Sequence, residues 1–363
     1  MFSVLTIGTA TRDTFLTSPL FKVLHDPKHL EKLGFKTGEA QCFALGAKID
    51  VGEPMVTVGG GAANAAVTFA RQGLTTGVLV RLGDDENGSA IARSLARERI
   101  RVIPVASRTE KTAHSTILLT PGGERTILTY RGASGGMEAR EVPFRKLAAR
   151  WAYLVPGGIP LAVLMKIVAH LKSRGTRLAM NPSKTYLALG KEKLKPLLAT
   201  LDVVIVNREE ASYLTGVEYR NARGIFKQLD GLVPGIAVMT DGARGSLVSD
   251  GKYLYTAGIF REKKLVDRTG AGDAFGAGFV AGLVEKNDIS YALRLAAATE
   301  VPMMLATLFV ASACSGETPG TSSSAGSWMS PPPPTTASTQ PAANPARMRR
   351  TSVSRSISGT RRS

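Results

Sequence analysis

Short apolar, β-branched runs alternate with amphipathic helical patterns through most of the first 300 positions, and this alternation leaves few architectures open. Strand candidates are Val4–Gly8, Val78–Leu82, Tyr153–Val155, Arg177–Met180, Val203–Val206 and Ile236–Thr240. Helix candidates are Ala62–Gln72, Ser89–Arg99, Leu161–Arg174 and Gly272–Glu285. In the third of these, Leu161, Leu164, Met165, Val168 and Leu171 fall on one face, and Gly175 follows as a stop. Strands that alternate with helices in this way form a mainly parallel central sheet flanked by helices on both faces, an α/β fold. The 363-residue length allows one large domain of that kind, with an appendage.

A second pattern interrupts the first. Residues 112–130 read as a hairpin around Pro121-Gly122-Gly123-Glu124, a strong turn signal. The segment 14–58 also carries scattered β-type runs and few helical ones. Together with residues 108–130 it is expected to form a small β-sheet lid, able to exclude water from a crevice. Near Pro302 the character changes again, and from Ser315 the chain is rich in Ser, Thr, Pro, Ala and Gly, with scattered Arg. Such a composition buries too little apolar surface to offset chain entropy. The expected organisation is a domain over 1–310 and a disordered tail over 311–363.

Composition excludes several classes. Cys42 and Cys314 lie far apart with no metal-type spacing, which argues against a disulfide framework or a zinc site and fits a reducing compartment. The start, Met1-Phe2-Ser3-Val4-Leu5, has neither the basic region nor the long apolar core of a signal peptide. The apolar stretch Val301–Cys314 is too short to span a bilayer. A cytoplasmic protein without a membrane segment is the expectation. Net charge is +17, of which +5 lies in residues 311–363 and the remaining +12 in the body. A basic body attracts nucleic acid, anionic nucleotides or sugar phosphates alike. No nucleic-acid motif accompanies the charge, so a nucleic-acid partner is not expected.

The sharpest local signal is Asp267-Arg268-Thr269-Gly270-Ala271-Gly272-Asp273-Ala274-Phe275. Two glycines allow a tight turn into a helix. The free N–H groups at the helix start, with the positive end of its dipole, make an anion site. Asp273 falls in that first turn. Phosphoryl transfer needs these parts: stabilised oxyanions and a carboxylate to receive the acceptor's proton. A first-turn carboxylate that only complements the dipole is the alternative. Upstream, Gly59-Gly60-Gly61-Ala62-Ala63-Asn64 runs into a helix, where glycines let the backbone approach a ligand and Asn64 offers donor and acceptor to a hydroxyl. A packed glycine turn before a small-residue helix is the bland reading. There is no P-loop and no protein-kinase catalytic loop, and none of the four histidines has a catalytic-looking setting.

Taken with Asn207-Arg208-Glu209-Glu210 and Thr240-Asp241-Gly242-Ala243-Arg244-Gly245, these runs resemble, in order, the signatures of the ribokinase-like (PfkB) sugar kinase family. The resemblance implies an ATP-dependent kinase acting on a sugar hydroxyl. Asp273 would be the catalytic base, and Gly270, Ala271 and Gly272 the anion hole. Asp13, Gly60, Gly61 and Asn64 would bind substrate, with Asp13 at the end of the first strand. Asn207, Thr240, Gly242 and Gly245 would bind ATP, and Glu210 would hold Mg²⁺, directly or through water. For Asn207 and Glu210, a helix cap with first-turn acids is the competing reading. Arg81-Leu82-Gly83-Asp84-Asp85-Glu86-Asn87-Gly88 is similar to the family's Gly-x-Asp-x-x-Gly stretch and is read as structural. A monovalent cation such as K⁺ and a homodimer paired through the lid are further family-level expectations.

The chain departs from the pattern at Val301-Pro302-Met303-Met304, where the family places a segment that helps hold adenine and, in many members, the cation. That leaves adenine binding, cation activation and stability as open points. Two other readings stand beside a sugar kinase: a nucleoside kinase of the adenosine type, and a catalytically impaired sugar-binding relative. The absence of an aromatic cluster for base stacking favours a sugar over a nucleoside.

Overall fold

The computed structural model describes residues 1–35, 37–259, 270–299 and 350–352. Its main sheet has ten strands. From one edge inward run Arg101–Ser107, Thr76–Gly83, the central Phe2–Gly8, Ala149–Val155, Arg177–Met180, Val203–Asn207 and Ile236–Thr240, all parallel. The far edge turns antiparallel through Ser246–Ser249, Tyr253–Ala257 and Arg350–Ser352. All the expected strands are present. Arg101–Ser107 and the antiparallel edge add to them. Apart from Arg350–Ser352, the predicted tail lies outside the described residues.

Helices cover both faces because the parallel strands are apolar on both sides, as buried parallel strands are. On one face Leu161–Ser173 presents Leu164, Ile167, Val168 and Leu171 to the core. Each such side chain contributes about 1.5–3 kcal/mol by leaving water, and Ile167→Ala would cost about 2–5 kcal/mol through the cavity it leaves. The helix stops where Gly175 takes φ 75°.

On the other face lie Gly61–Arg71, Ala271–Lys286 and a helical stretch over 289–299. Ala271–Lys286 is buried nearly all round, as a helix must be when it is wedged between a sheet and other helices. Its glycines make that burial possible. A Cβ on Gly276 would lie 2.3 Å from the Tyr153 hydroxyl, and one on Gly282 2.5 Å from Cα of Ala292.

The small sheet stands apart, in the order Met55–Gly59, Thr11–Thr17, His114–Leu119, Arg125–Tyr130. The expected hairpin is present as its last two strands. The chain leaves the main sheet at Gly8, where any side chain would strike the carbonyl of Val155. Asp13 therefore lies within a strand of the small sheet and not at the end of the first strand, as the sequence had suggested. The Gly83–Gly88 stretch is structural. Asp85 accepts from the backbone of Gly88 and Thr112 and from the Thr112 hydroxyl, which pins the small sheet to the main one. Burial opposes ionisation of Asp85, yet these hydrogen bonds hold its carboxyl below the usual range. Cys42 is exposed and unpaired, and Cys314 lies outside the described residues. Among the described residues no helix is long and apolar enough to cross a membrane.

Candidate active site

The carboxyl ends of the parallel strands meet the starts of two helices, the usual place for a ligand crevice in such a sheet. Gly270 takes φ 78°, a conformation that favours glycine, and caps Ala271–Lys286. Asp273 follows in the first turn. The amide of Asn64, in the first turn of Gly61–Arg71, donates to Asp273 Oδ2 at 3.0 Å. Burial pushes the Asp273 carboxyl above its ordinary range, and the Asn64 hydrogen bond pulls it partly back. The Asp267–Thr269 part of the signature lies outside the described residues.

The glycine run places three stretches of backbone against three parts of the site. A Cβ on Gly59 would overlap the Asp13 carboxylate at 1.8 Å, and one on Gly60 would meet backbone atoms of Thr9 and Ala10 at 2.7 Å. At Gly61 it would lie 2.4 Å from Val155 and 3.5 Å from Asp273 Oδ1. Gly60 also takes φ 93°. Asp13 is held by the Thr11 hydroxyl at 2.8 Å.

Two cavities adjoin. The smaller, about 210 Å³, is lined by Asn181, Asn207, Glu210, Thr240, Gly272 and Asp273, among others. The larger, about 620 Å³, runs from Asn207 and Thr240 over Arg208, Tyr219, Gly242 and Arg244. Asn207 and Thr240 are cross-strand partners in register, and they line both cavities. Asp13, Gly60 and Gly61 line neither. Gly245 lines neither as well. It takes φ 86° and presses against the carbonyl of Ala257, so it shapes the loop from behind. Ala271 is buried under its own helix start.

Asn207 and Glu210 form a capping box on Arg208–Thr215. Asn207 Oδ1 accepts from Glu210 N at 2.8 Å, and Glu210 Oε2 accepts from Asn207 N at 2.9 Å. The capping alternative is thus realised, and it does not exclude a ligand: the Asn207 amide nitrogen and Glu210 Oε1 take no part in the box. Burial raises the Glu210 carboxyl above its usual range. The Asn207 backbone and Lys184 lower it, and Glu209 and Asp273 raise it further.

Several residues of the site had not stood out in the sequence. Asp241, buried beneath the larger cavity, receives a guanidinium hydrogen bond from Arg208 and paired hydrogen bonds from Arg244. Both guanidiniums also lie over the Tyr219 ring. Arg244 first, then Arg208, lowers the Asp241 carboxyl to about 2. Asn181 donates to the carbonyl of Ile205 at 3.1 Å and faces the smaller cavity. Tyr153 is fully buried under the helix Ala271–Lys286, and its hydroxyl has no hydrogen-bond partner among the described residues. Only a three-dimensional arrangement marks these positions, since single Arg, Tyr and Asn residues carry no spacing signal.

Among the described residues no group of three or more His, Cys, Asp or Glu gathers as a metal cage. Magnesium commonly binds through one or two protein carboxylates together with waters and substrate phosphates. Glu210 and Asp273 both line the smaller cavity, and the Asp273 charge adds to the rise of the Glu210 carboxyl, a pair of carboxylates that suits such a sparse site.

The pfkB family carbohydrate kinase profile matches residues 28–300. A cytidine kinase of Thermococcus kodakarensis is 26% identical over 249 residues, covering 67% of this chain and 86% of its own length. A ribokinase of Haemophilus influenzae is 29% identical over 248 residues, covering 66% and 78%. Among solved structures, Arabidopsis thaliana ribokinase complexed with ribose and ATP superposes with a TM-score of 0.65 at 22% identity, over 84% of this chain and 93% of that one. A Sinorhizobium meliloti adenosine kinase gives 0.66 at 22% identity, over 84% and 93%. With its parallel sheet, its separate small sheet and its family match across most of the body, the chain belongs to the pfkB family of carbohydrate kinases.

Proposed function

We propose that this kinase transfers the γ-phosphoryl group of ATP to a sugar hydroxyl, with Asp273 as the base. The observation that carries the reading is the meeting of Asp273 and Asn64 beside a cavity lined by Asn207, Glu210, Thr240 and Gly272. The acceptor oxygen attacks the γ-phosphorus, and its proton passes to the Asp273 carboxylate. The bond from γ-phosphorus to the bridging oxygen breaks, and ADP leaves with that electron pair. The Gly270–Gly272 amides, at the positive end of the helix, offset the charge that develops on the transferring group. A carboxyl raised by burial is a better proton acceptor than an exposed one, provided it stays ionised at working pH.

Asp13, Asn64 and the backbone at Gly60 and Gly61 bind the acceptor's hydroxyls, with the small sheet as a lid. The nucleotide lies in the larger cavity, with Asn207, Thr240 and Gly242 beside its phosphates and Gly245 holding the loop. Bound Mg²⁺ would neutralise charge on the β- and γ-phosphate oxygens, and Glu210 is the residue that would hold it, through water. A monovalent cation, a cytoplasmic location and pairing of two copies through the small sheet belong to the same reading. Ile127, Leu128 and Tyr130 lie exposed on that sheet.

The test is ADP formation by the purified protein with Mg²⁺ and K⁺ present, using ribose, fructose, adenosine and cytidine as acceptors. Turnover on a sugar, lost in Asp273→Asn, is expected. Turnover on nucleosides alone would move the assignment to the second reading, which the similarity to a cytidine kinase supports. Sugar binding without ADP formation would point to a catalytically impaired relative.

A further inference from the structure

A groove of about 300 Å³ lies on the reverse of the small sheet, between it and the helix Glu86–Arg97. Three arginines converge on it: Arg12 from the strand Thr11–Thr17, and Arg93 and Arg97 from the helix. Thr57 and Ser94 add hydroxyls to the lining. Successive strand residues point to opposite faces. Asp13 therefore lies against Gly59 on the acceptor side, while Arg12 reaches the groove behind it.

The charges are poorly matched within the protein. Arg93 is paired with Glu86, an exposed carboxylate at the helix start. Among the described residues the guanidiniums of Arg12 and Arg97 make no hydrogen bond or ion pair. Glu98, the next carboxylate along the helix, is committed to Arg71. Like charges at i and i+4, as at Arg93 and Arg97, oppose helix formation. An arrangement that costs stability and leaves guanidinium donors open suits an anion, because arginine forks match phosphate oxygens.

We propose that this groove binds a small phosphorylated ligand, either inorganic phosphate or the phosphate of a sugar monoester, at a site separate from the active centre. Its volume suits such a ligand. A polynucleotide would need a longer basic track. The binding claim does not depend on which acceptor the kinase uses. The ligand would sit against the strand that carries Asp13, one residue from the proposed acceptor site.

The test uses the full chain in phosphate-free buffer, with the nucleotide cavity filled by a non-hydrolysable ATP analogue and Mg²⁺. Inorganic phosphate, pyrophosphate and ribose 5-phosphate are titrated in turn by calorimetry against three proteins: the parent, Arg12→Gln/Arg97→Gln, and Arg140→Gln. The last removes a surface arginine outside the groove. Saturable binding is expected in the parent and in Arg140→Gln, with the dissociation constant raised about tenfold or more in the double variant. A preference for ribose 5-phosphate identifies the monoester as the ligand, and equal affinity identifies the free anion. Equal binding in all three proteins would overturn the site. So would binding that the ATP analogue abolishes, or affinity for an oligonucleotide alone. Should the double variant misfold, Arg97→Gln alone, on an exposed helix position, carries the same comparison.

Discussion

Asn64 and Asp273, 209 positions apart in the chain, are joined by a 3.0 Å hydrogen bond between the first turns of two helices. The bond sets both the position and the proton affinity of the proposed base. Asp273→Asn keeps the shape and removes the base. Turnover should fall by about 10²–10⁴-fold, the usual worth of a general base. Acceptor affinity, measured by calorimetry, should change little.

The same bond has a pH signature. The Asn64 amide favours the ionised form of Asp273 against burial. Asn64→Ala removes that support, so the carboxyl should hold its proton to higher pH. The acidic limb of the kcat profile should then move upward in pH. An unmoved limb would separate Asn64 from the protonation of the base.

Asp273 should also cost stability. Its carboxyl is raised in the folded protein, so its contribution to stability is full below the unfolded carboxyl range and is lost as pH rises through the folded value. Asp273→Asn should therefore raise the melting temperature at neutral pH, with the difference shrinking as the pH is lowered toward the carboxyl range. Active sites commonly carry such a trade-off.

Asp241 behaves in the opposite sense. Its lowered carboxyl stabilises the fold above the unfolded carboxyl range, and that contribution is lost as pH falls through about 2. Asp241→Asn removes the negative charge and one of the two oxygens that Arg208 and Arg244 share, and sets an NH2 donor against their guanidiniums. Stability at neutral pH should fall, by less than for a wholly buried pair because Arg244 is largely exposed. The KM for ATP should rise as the wall of the larger cavity loosens. Chemical denaturation and steady-state kinetics check the two effects.

Tyr153 and Gly276 make a suppressor pair. Gly276→Ala would drive a methyl group to 2.3 Å from the Tyr153 hydroxyl and should be strongly destabilising. Tyr153→Phe removes a buried hydroxyl that lacks a partner among the described residues, and should stabilise by about 1 kcal/mol. In the double variant the nearest ring carbon is 3.4 Å from the new methyl group, so much of the loss should be recovered. Melting temperatures of the three variants decide it.

The sheet was legible in the sequence because parallel strands buried on both faces are nearly continuous apolar runs, as Val203–Val206 is. The hairpin at 114–130 was legible because Pro121-Gly122-Gly123 marks its turn. The strand Thr11–Thr17 was not. Its polar residues Thr11, Arg12, Asp13 and Thr14 mask the alternation, and its parallel partner begins at His114, a pairing no local pattern reveals. Asp273 and Asn64 could each be singled out from their glycine-rich neighbourhoods, but not their contact. The Arg208–Asp241–Arg244 cluster was invisible because a loop and a helix start contribute to it separately.

The central strand of the main sheet, Phe2–Gly8, precedes every other described strand in the chain. Its two neighbours, Thr76–Gly83 and Ala149–Val155, come much later in the chain. On the ribosome one edge of that apolar strand stays uncovered until about residue 155 has emerged, well after Thr76–Gly83 is available for the other. Folding dominated by such distant pairings is slow, and the exposed edge is the part of the nascent chain most in need of shielding by a chaperone.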